Sequence, residues 1–203
     1  MALTKISNQS LSSITSLPAT LPTGALTLLS TQTASSSASI SFTSGINSTY
    51  DSYIFKFINI HPATDDTSFS FQVSTDGGSN YNTTITSTSF HAYHDEADSD
   101  TNLRYWTDHD QAQGTSFQNL MLRVSNDNDH AHVGTLQIFQ PSSSTFVKHF
   151  ISRLQTVYYY QAGYSMDDYI AGYANTTSAI NAVQFKMTSG NIDAGVIKLY
   201  GVG

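Results

Sequence analysis

Three features of this 203-residue sequence predict an all-β fold. β-Branched and aromatic residues are abundant, apolar residues alternate with polar ones, and turn-forming residues separate the alternating runs. No apolar stripe with a helical period appears beyond residue 24. Apolar rows from two facing sheets would fill one interior. We therefore expect a jelly-roll-like two-sheet β-sandwich over residues 25–203, preceded by an N-terminal arm over residues 1–24.

The alternation predicts strands and the faces that they bury. Phe69, Phe71 and Val73 would share one buried face, and the polar residues between them would face solvent. Three further pairs or triplets give inward rows of the same kind: Leu136 with Ile138; Val183 with Phe185 and Met187; and Ile197 with Leu199. The predicted strands are 26–32, 38–43, 53–60, 68–74, 81–86, 88–93, 117–124, 133–139, 145–152, 154–160, 168–174, 182–188 and 195–201.

The first 24 residues differ from the rest of the chain. They are rich in serine and threonine, and two prolines would stop any helix that formed there. Their apolar residues recur every three to five positions and include Leu3, Ile6, Leu11, Ile14 and Leu17. So few apolar side chains cannot form a core of their own. The segment is either an arm that docks on a partner surface or a disordered tail.

Charge and cysteine content narrow the class of protein. Charged residues make up 11% of the chain, the net charge is −7, and the few cations are scattered. This distribution does not predict nucleic-acid binding. Without cysteines there is no disulfide, so stability must come from packing or from association, and we expect a homotrimer. No apolar run predicts a signal peptide or a membrane-spanning helix, so we expect the chain to be made in a cytoplasm and to stay soluble.

The histidines and carboxylates that could bind a metal or act in catalysis are not spaced in any specific motif. His130 and His132 lie two residues apart and would share a strand face, which His91 and His94 could approach from a neighbouring strand. Carboxylates cluster at two places: Asp95, Glu96, Asp98 and Asp100, and then Asp127 and Asp129. Neither cluster matches a calcium-loop pattern, and no catalytic motif is present. We expect a non-enzymatic protein with no cofactor and no bound metal.

Two segments have distinct local patterns. Residues 94–116 are acidic and lack alternation, which predicts one long surface loop. The run from Ser74 to Tyr81 resembles the Asp-box turn of sialidase-like propellers, but it occurs only once here. Asp76 would accept backbone hydrogen bonds across this turn, and Gly77 and Gly78 tolerate positive φ, so we expect a tight hairpin between the flanking strands.

Aromatic residues concentrate in the last third of the chain. They are Tyr158, Tyr159, Tyr160, Tyr164, Tyr169 and Tyr173, and Trp106 lies in the acidic segment. Tyrosine and tryptophan are enriched at subunit interfaces because one end is apolar and the other tolerates water. The same rings could stack against sugars. Both interpretations remain open at this point.

Several runs carry a family resemblance. They are residues 28–42, 53–62, 69–78 and 172–187 and the closing segment 195–202. Together they resemble a family of uncharacterised proteins encoded by marine tailed phages. The resemblance implies a virion-associated structural protein and no catalytic residues. We expect an exposed tail, fibre or capsid-decoration module that contacts other virion proteins through its arm. The alternative is a receptor-binding module that recognises a host-surface glycan.

Overall fold

A computed structural model describes residues 26–158 and 163–203, and this part of the chain is all-β. It contains no α-helix, so no helix within it is long and apolar enough to cross a membrane. The strands are β1 (Thr27–Ser37), β2 (Ile40–Phe42), β3 (Ser52–Pro62), β4 (Thr67–Ser74), β5 (Ile85–Asp95), β6 (Thr101–Tyr105), β7 (Gln118–Val124), β8 (His132–Phe139), β9 (Lys148–Tyr158), β10 (Tyr164–Ala174), β11 (Ala182–Met187) and β12 (Ile192–Val202). The predicted all-β class is confirmed.

The strands pair antiparallel throughout and form two runs. The eight-stranded run has the order β1-β12-β3-β8-β9-β10-β5-β6, and the four-stranded run has the order β7-β4-β11-β2. A single residue pair, Val124 of β7 with Tyr158 of β9, joins the two runs. The result is one twelve-stranded sheet that is nearly closed into a barrel. The jelly-roll-like two-sheet sandwich stays a prediction at this level.

A cluster of phenylalanine rings fills the interior between the two runs. Phe185 of β11 lies 5.1 Å from Phe55 and 5.2 Å from Phe57, both on β3, with the rings edge-to-face. Strands β3 and β11 are not hydrogen-bonded neighbours, so these contacts cross the interior. Edge-to-face rings add attraction beyond the area they bury, because the positive ring edge meets the negative face. The core therefore holds the two runs together.

The predicted inward rows are buried, with one correction to β4. The rows that include Leu136, Phe185 and Ile197 are all shielded from solvent, as the alternation predicts. In β4, however, the polar residues are buried as well. The amide of Gln72 donates to the carbonyl oxygens of residues 83, 115 and 116, at 2.9, 3.2 and 3.0 Å. These two loop segments cover the outer face of β4, so its predicted solvent face is wrong.

Three predicted boundaries are also corrected. The predicted strands 81–86 and 88–93 are replaced by one strand, β5, and residues 81–84 are not in a strand. The predicted strands 145–152 and 154–160 are replaced by one strand, β9, which begins at Lys148, and residues 159 and 160 lie outside the described residues. The segment 94–116 is not a single loop, because β6 lies within it and pairs with β5. The carboxylate of Asp95 closes the turn between them by accepting hydrogen bonds from the backbone of Ser99 and Asp100, at 2.8 and 2.9 Å.

Candidate functional site

The described part of the chain has a cavity where the eight-stranded run extends past β8. Its volume is about 510 Å³, within the range of roughly 300–1,000 Å³ that is usual for small-molecule sites. Strands β9, β10, β5 and β6 supply one wall, and β7, the turn between β5 and β6 and the segment after β6 supply the rest. The lining residues are His91, Tyr93, Asp100, Arg104, Trp106, Arg123, Tyr158, Tyr164 and Met166.

The strand register explains why these side chains meet. Tyr164 on β10 lies opposite Tyr158 on β9, and Met166 lies opposite Tyr93 on β5. On the other side of β5, His91 lies opposite Arg104 on β6. Directly opposed residues in an antiparallel pair place their side chains on the same sheet face. Four neighbouring strands therefore present these residues to one concavity.

Arg104 is held by three rings at the cavity wall. Its Nε donates a hydrogen bond of 3.2 Å to Nε2 of His91. Its guanidinium carbon lies 5.0 Å from the centre of the Trp106 ring and 6.0 Å from that of Tyr93, within cation–π range. Burial, with the nearby positive charge of Arg104, lowers the pKa of His91 to about 4. His91 is therefore neutral at pH 7 and offers a lone pair to Arg104.

Three tyrosines, on β5, β10 and β9, continue the wall beyond Arg104. Tyr164 lies edge-on to Tyr93 at 5.6 Å and edge-on to Tyr158 at 6.3 Å. The Tyr164 hydroxyl donates a 3.3 Å hydrogen bond to the carboxylate of Asp100. Burial and the Asp100 charge raise the pKa of Tyr164, so this hydroxyl keeps its proton at neutral pH. The wall thus combines apolar ring surface with hydroxyl and carboxylate groups.

Buried titratable groups lie behind the cavity. His109 stacks on Trp106 at 4.6 Å, and burial lowers the pKa of His109 to about 3. Asp168 lies opposite His91 in the strand register, and burial raises the pKa of Asp168 to about 7. Both groups are predominantly uncharged just below neutral pH. They support the cavity wall without adding a full charge to it.

This arrangement is suited to binding a small ligand with both apolar and polar groups. Ring faces can pack against an apolar surface, and Asp100 can accept hydrogen bonds while Arg104 and Arg123 donate them. Arg123 is already 3.6 Å from the carboxylate of Asp66, so part of its charge is balanced. Arg104 has no ion pair with a carboxylate among residues 26–158 and 163–203.

The sequence-predicted aromatic residues separate into three groups. Tyr169 stacks on Phe90 and Tyr173 lies edge-on to His149, both away from the cavity. Trp106, Tyr158 and Tyr164 come together in the cavity, although Trp106 is more than fifty positions from the two tyrosines. Tyr159 and Tyr160 lie outside the described residues, as do the arm residues Leu3, Ile6, Leu11, Ile14 and Leu17. Sequence reasoning missed Arg104 and Tyr93. The spacing of Arg104 and Trp106, two residues apart, is the signal that indicates a shared strand face.

The four histidines considered for metal binding are in different surroundings. His132 is fully buried against Phe69 at a ring distance of 5.3 Å, and His130 lies in the loop before β8, 3.6 Å from Asp127. His94 contacts Asp98, whereas His91 faces the cavity. No group of three metal-binding side chains occurs among the described residues.

The Asp76 turn forms, but it does not join a hairpin. The Asp76 carboxylate accepts hydrogen bonds from the Ser74 hydroxyl at 2.6 Å and from the Asn80 backbone and side chain at 2.9 and 2.7 Å. These bonds, that from Ser74 first, lower the pKa of Asp76 to about 2. Gly77 and Gly78 have positive φ, as predicted. The flanking strands β4 and β5 have other partners, so the predicted pairing across this turn is wrong.

Comparison with known proteins gives no relative from which a function could be inferred. No protein-family model, no curated protein and no solved structure matches this chain. The resemblance to marine-phage proteins therefore remains an expectation from the sequence.

Proposed function

We propose that this chain is a jelly-roll protein and that it serves as a non-enzymatic structural module of a tailed-phage particle. The observation that carries the proposal is its strand pairing. Without β5, β6, β9 and β10, eight strands remain, and they pair from the outside of the sequence inwards. β1 pairs with β12, β2 with β11, β3 with β8 and β4 with β7. A long hairpin with these four pairs, rolled around a core, gives a jelly roll.

Two further pairings agree with the rolled hairpin. β12 lies between β1 and β3, and β11 lies between β2 and β4, which gives sheet orders β1-β12-β3-β8 and β2-β11-β4-β7. The contacts of Phe185 with Phe55 and Phe57 connect the two sets of four strands across the interior. Strands β9, β10, β5 and β6 then extend the first sheet beyond the jelly roll, and the cavity lies on their inner face.

The step from fold to particle is an analogy. Jelly rolls recur in viral capsid proteins and in lectins, and a fold does not fix a function. The resemblance of the sequence to marine-phage proteins favours the particle, where the module would be an exposed tail, fibre or capsid-decoration component. Its arm, residues 1–24, would contact other virion proteins.

An apolar outer surface supports association of the chain with itself. The outer face of the extension exposes Phe90, Leu103, Tyr105 and Ile151, and the exposed fraction of Leu103 is 67%. Clustered exposed apolar side chains usually mark an interaction surface. We propose that this face forms the subunit contact of a homotrimer. Light scattering should give three times the chain mass, and replacing Leu103 and Ile151 with lysine should give monomers. A monomeric wild-type protein would exclude the trimer.

The particle assignment has a direct test. Virions of the phage that encodes this chain should be purified on a density gradient and analysed by quantitative mass spectrometry. We expect the chain at a fixed stoichiometry to the major capsid protein, and gold-labelled antibodies to the body should bind intact particles. If the chain is present in the lysate and absent from purified virions, the structural role is wrong.

A second candidate function is saccharide binding, which would make the module a receptor-binding one. The observation in its favour is the convergence of Trp106, Tyr158 and Tyr164 on one cavity of about 510 Å³. The apolar C–H face of a sugar ring packs against aromatic rings, and its hydroxyls need polar partners such as Asp100. Trp106 is the single tryptophan of the chain, so its fluorescence reports on this cavity. Saturable fluorescence changes with host-surface oligosaccharides would support this role.

A further inference from the structure

We propose that the aromatic cavity binds a saccharide that carries a carboxylate and that the guanidinium of Arg104 pairs with this carboxylate. The inference rests on the saccharide-binding candidate and names the class of its ligand. It also assigns to Arg104 the role of selecting acidic over neutral sugars.

Arg104 is oriented before any ligand binds. Its Nε is engaged with His91, and its plane lies near Trp106 and Tyr93. Its two terminal NH₂ groups make no hydrogen bond within the described residues. By contrast, Arg153 on the outer face is 2.7 Å from Asp167. The Arg104 side chain is exposed at the cavity wall, oriented by His91 and two rings, and has unused donors. Such a guanidinium is suited to a planar, bidentate partner, and a carboxylate has that geometry.

The surrounding charges favour a monoanion over a dianion. Asp100 also lines the cavity, and Arg123 is partly balanced by Asp66. A phosphate monoester with two negative charges would therefore meet one uncompensated guanidinium and a nearby carboxylate. The chain as a whole carries a net charge of −7, which adds to the repulsion of highly charged ligands. One carboxylate next to Arg104 matches the available positive charge.

The rings account for the rest of the ligand. The rings of Tyr93, Tyr158 and Tyr164 line the wall, and Tyr164 lies edge-on to each of the other two. They offer apolar surface for a sugar ring, and Asp100 with the Tyr164 hydroxyl can bind sugar hydroxyls. A purely apolar ligand would take the Asp100 carboxylate and the terminal NH₂ groups of Arg104 out of water without any new hydrogen bond, which is unfavourable. An acidic sugar packs its ring against the aromatic side chains and pairs its polar groups with Asp100 and Arg104.

The test uses matched pairs of sugars and the fluorescence of Trp106. Disaccharides with a single galacturonic, glucuronic or mannuronic acid residue, and so one carboxylate, should be titrated into the full chain. Each is compared with the neutral disaccharide of the same linkage in which galactose, glucose or mannose replaces that residue. We expect saturable binding of at least one acidic disaccharide, at least tenfold tighter than its neutral counterpart. Raising the salt concentration should lower the affinity for the acidic disaccharide and leave the affinity for the neutral one unchanged.

Two variants isolate the guanidinium. Arg104→Gln should lower the affinity for the acidic disaccharide at least tenfold and change the affinity for the neutral one by less than twofold. Arg153→Gln removes an arginine from the outer face and should bind both sugars as the wild type does. If Arg104→Gln fails to fold, as circular dichroism would show, Arg104→Lys keeps the charge without the planar fork and should bind the acidic sugar with intermediate affinity.

The outcomes separate the two proposals. Equal affinity for acidic and neutral sugars, unaffected by salt, would keep the saccharide-binding function and overturn the inference. Unchanged binding of the acidic sugar by Arg104→Gln would also overturn it. If no acidic or neutral disaccharide changes the fluorescence of the wild type, both the inference and the saccharide-binding function are wrong, while the particle role stands on its own test.

Discussion

Asp168 and His91 lie opposite each other on paired strands, and both side chains are buried. Burial acts on the two groups in opposite directions, because it disfavours the charged form of each. It raises the pKa of Asp168 to about 7 and lowers the pKa of His91 to about 4. Between these values both groups are mainly neutral, so the inner face of β5 and β10 avoids isolated buried charges.

Replacing Asp168 with asparagine should stabilise the protein at alkaline pH. The folded pKa of Asp168 is about 7 against an ordinary 3.8, so its contribution is present below pH 3.8 and is lost as the pH rises through 7. At pH 8 the variant should therefore be more stable by up to about 4 kcal/mol, from roughly three units at about 1.4 kcal/mol each. Urea unfolding at pH 8 and pH 4 measures the difference, which should nearly vanish at pH 4.

The matched control for this substitution is Asp167→Asn on the opposite face of β10. Asp167 is paired with Arg153 at 2.7 Å, so its replacement removes an ion pair and should give no gain at pH 8. Equal stability of Asp168→Asn and the wild type at both pH values would contradict the assignment of a buried, protonated carboxyl.

Replacing His132 with leucine should make the protein more resistant to acid. His132 is buried, and burial lowers its pKa to about 3 from 6.5. The folded state stays neutral while the unfolded state binds a proton, so stability is full above pH 6.5 and falls as the pH drops towards 3. The variant lacks this proton uptake. Its melting temperature should fall less than that of the wild type between pH 6.5 and pH 4. If the melting temperatures of the variant and the wild type fall equally between pH 6.5 and pH 4, His132 is not the origin of the acid sensitivity.

The two glycines after Asp76 should differ in their tolerance of alanine. Both have positive φ, 75° for Gly77 and 91° for Gly78, so each alanine costs roughly 1–2 kcal/mol of backbone strain. A Cβ on Gly77 meets nothing within 4 Å, whereas one on Gly78 lies 2.7 Å from the Tyr81 hydroxyl and 3.0 Å from the Thr43 methyl. Thermal unfolding should rank Gly78→Ala clearly below Gly77→Ala. The reverse order would show that the turn repacks.

Truncation of Phe185 should be among the most damaging core substitutions. This ring contacts Phe55 and Phe57 on one side of the interior and Phe69 on β4, at 5.1, 5.2 and 5.8 Å. Phe185→Ala should cost about 3–5 kcal/mol because it removes buried area and leaves a cavity. Phe146→Ala is the control, since Phe146 is 65% exposed and should change stability little. Denaturant titration measures both, and a small loss for Phe185→Ala would mean that the core collapses to fill the space.

The sequence correctly predicted those features that depend only on residues close together along the chain. Alternation places Phe69, Phe71 and Val73 on the buried face of β4, and the Asp76 turn with its positive-φ glycines has the expected local geometry. Alternation failed where another part of the chain covers a strand. Gln72 reads as a solvent-facing residue, yet it is buried because loop carbonyls at 83, 115 and 116 bind its amide.

Only the tertiary structure decided which strands pair and which side chains share the cavity. Tyr93 and Tyr164 meet because β5 pairs with β10, and nothing near either residue in the sequence encodes that pairing. The same holds for β4 and β5, which follow one another along the chain and have different partners. A strand's own residues determine which face is apolar. The choice of its hydrogen-bonding neighbours depends on how all twelve strands together bury their apolar faces around one core.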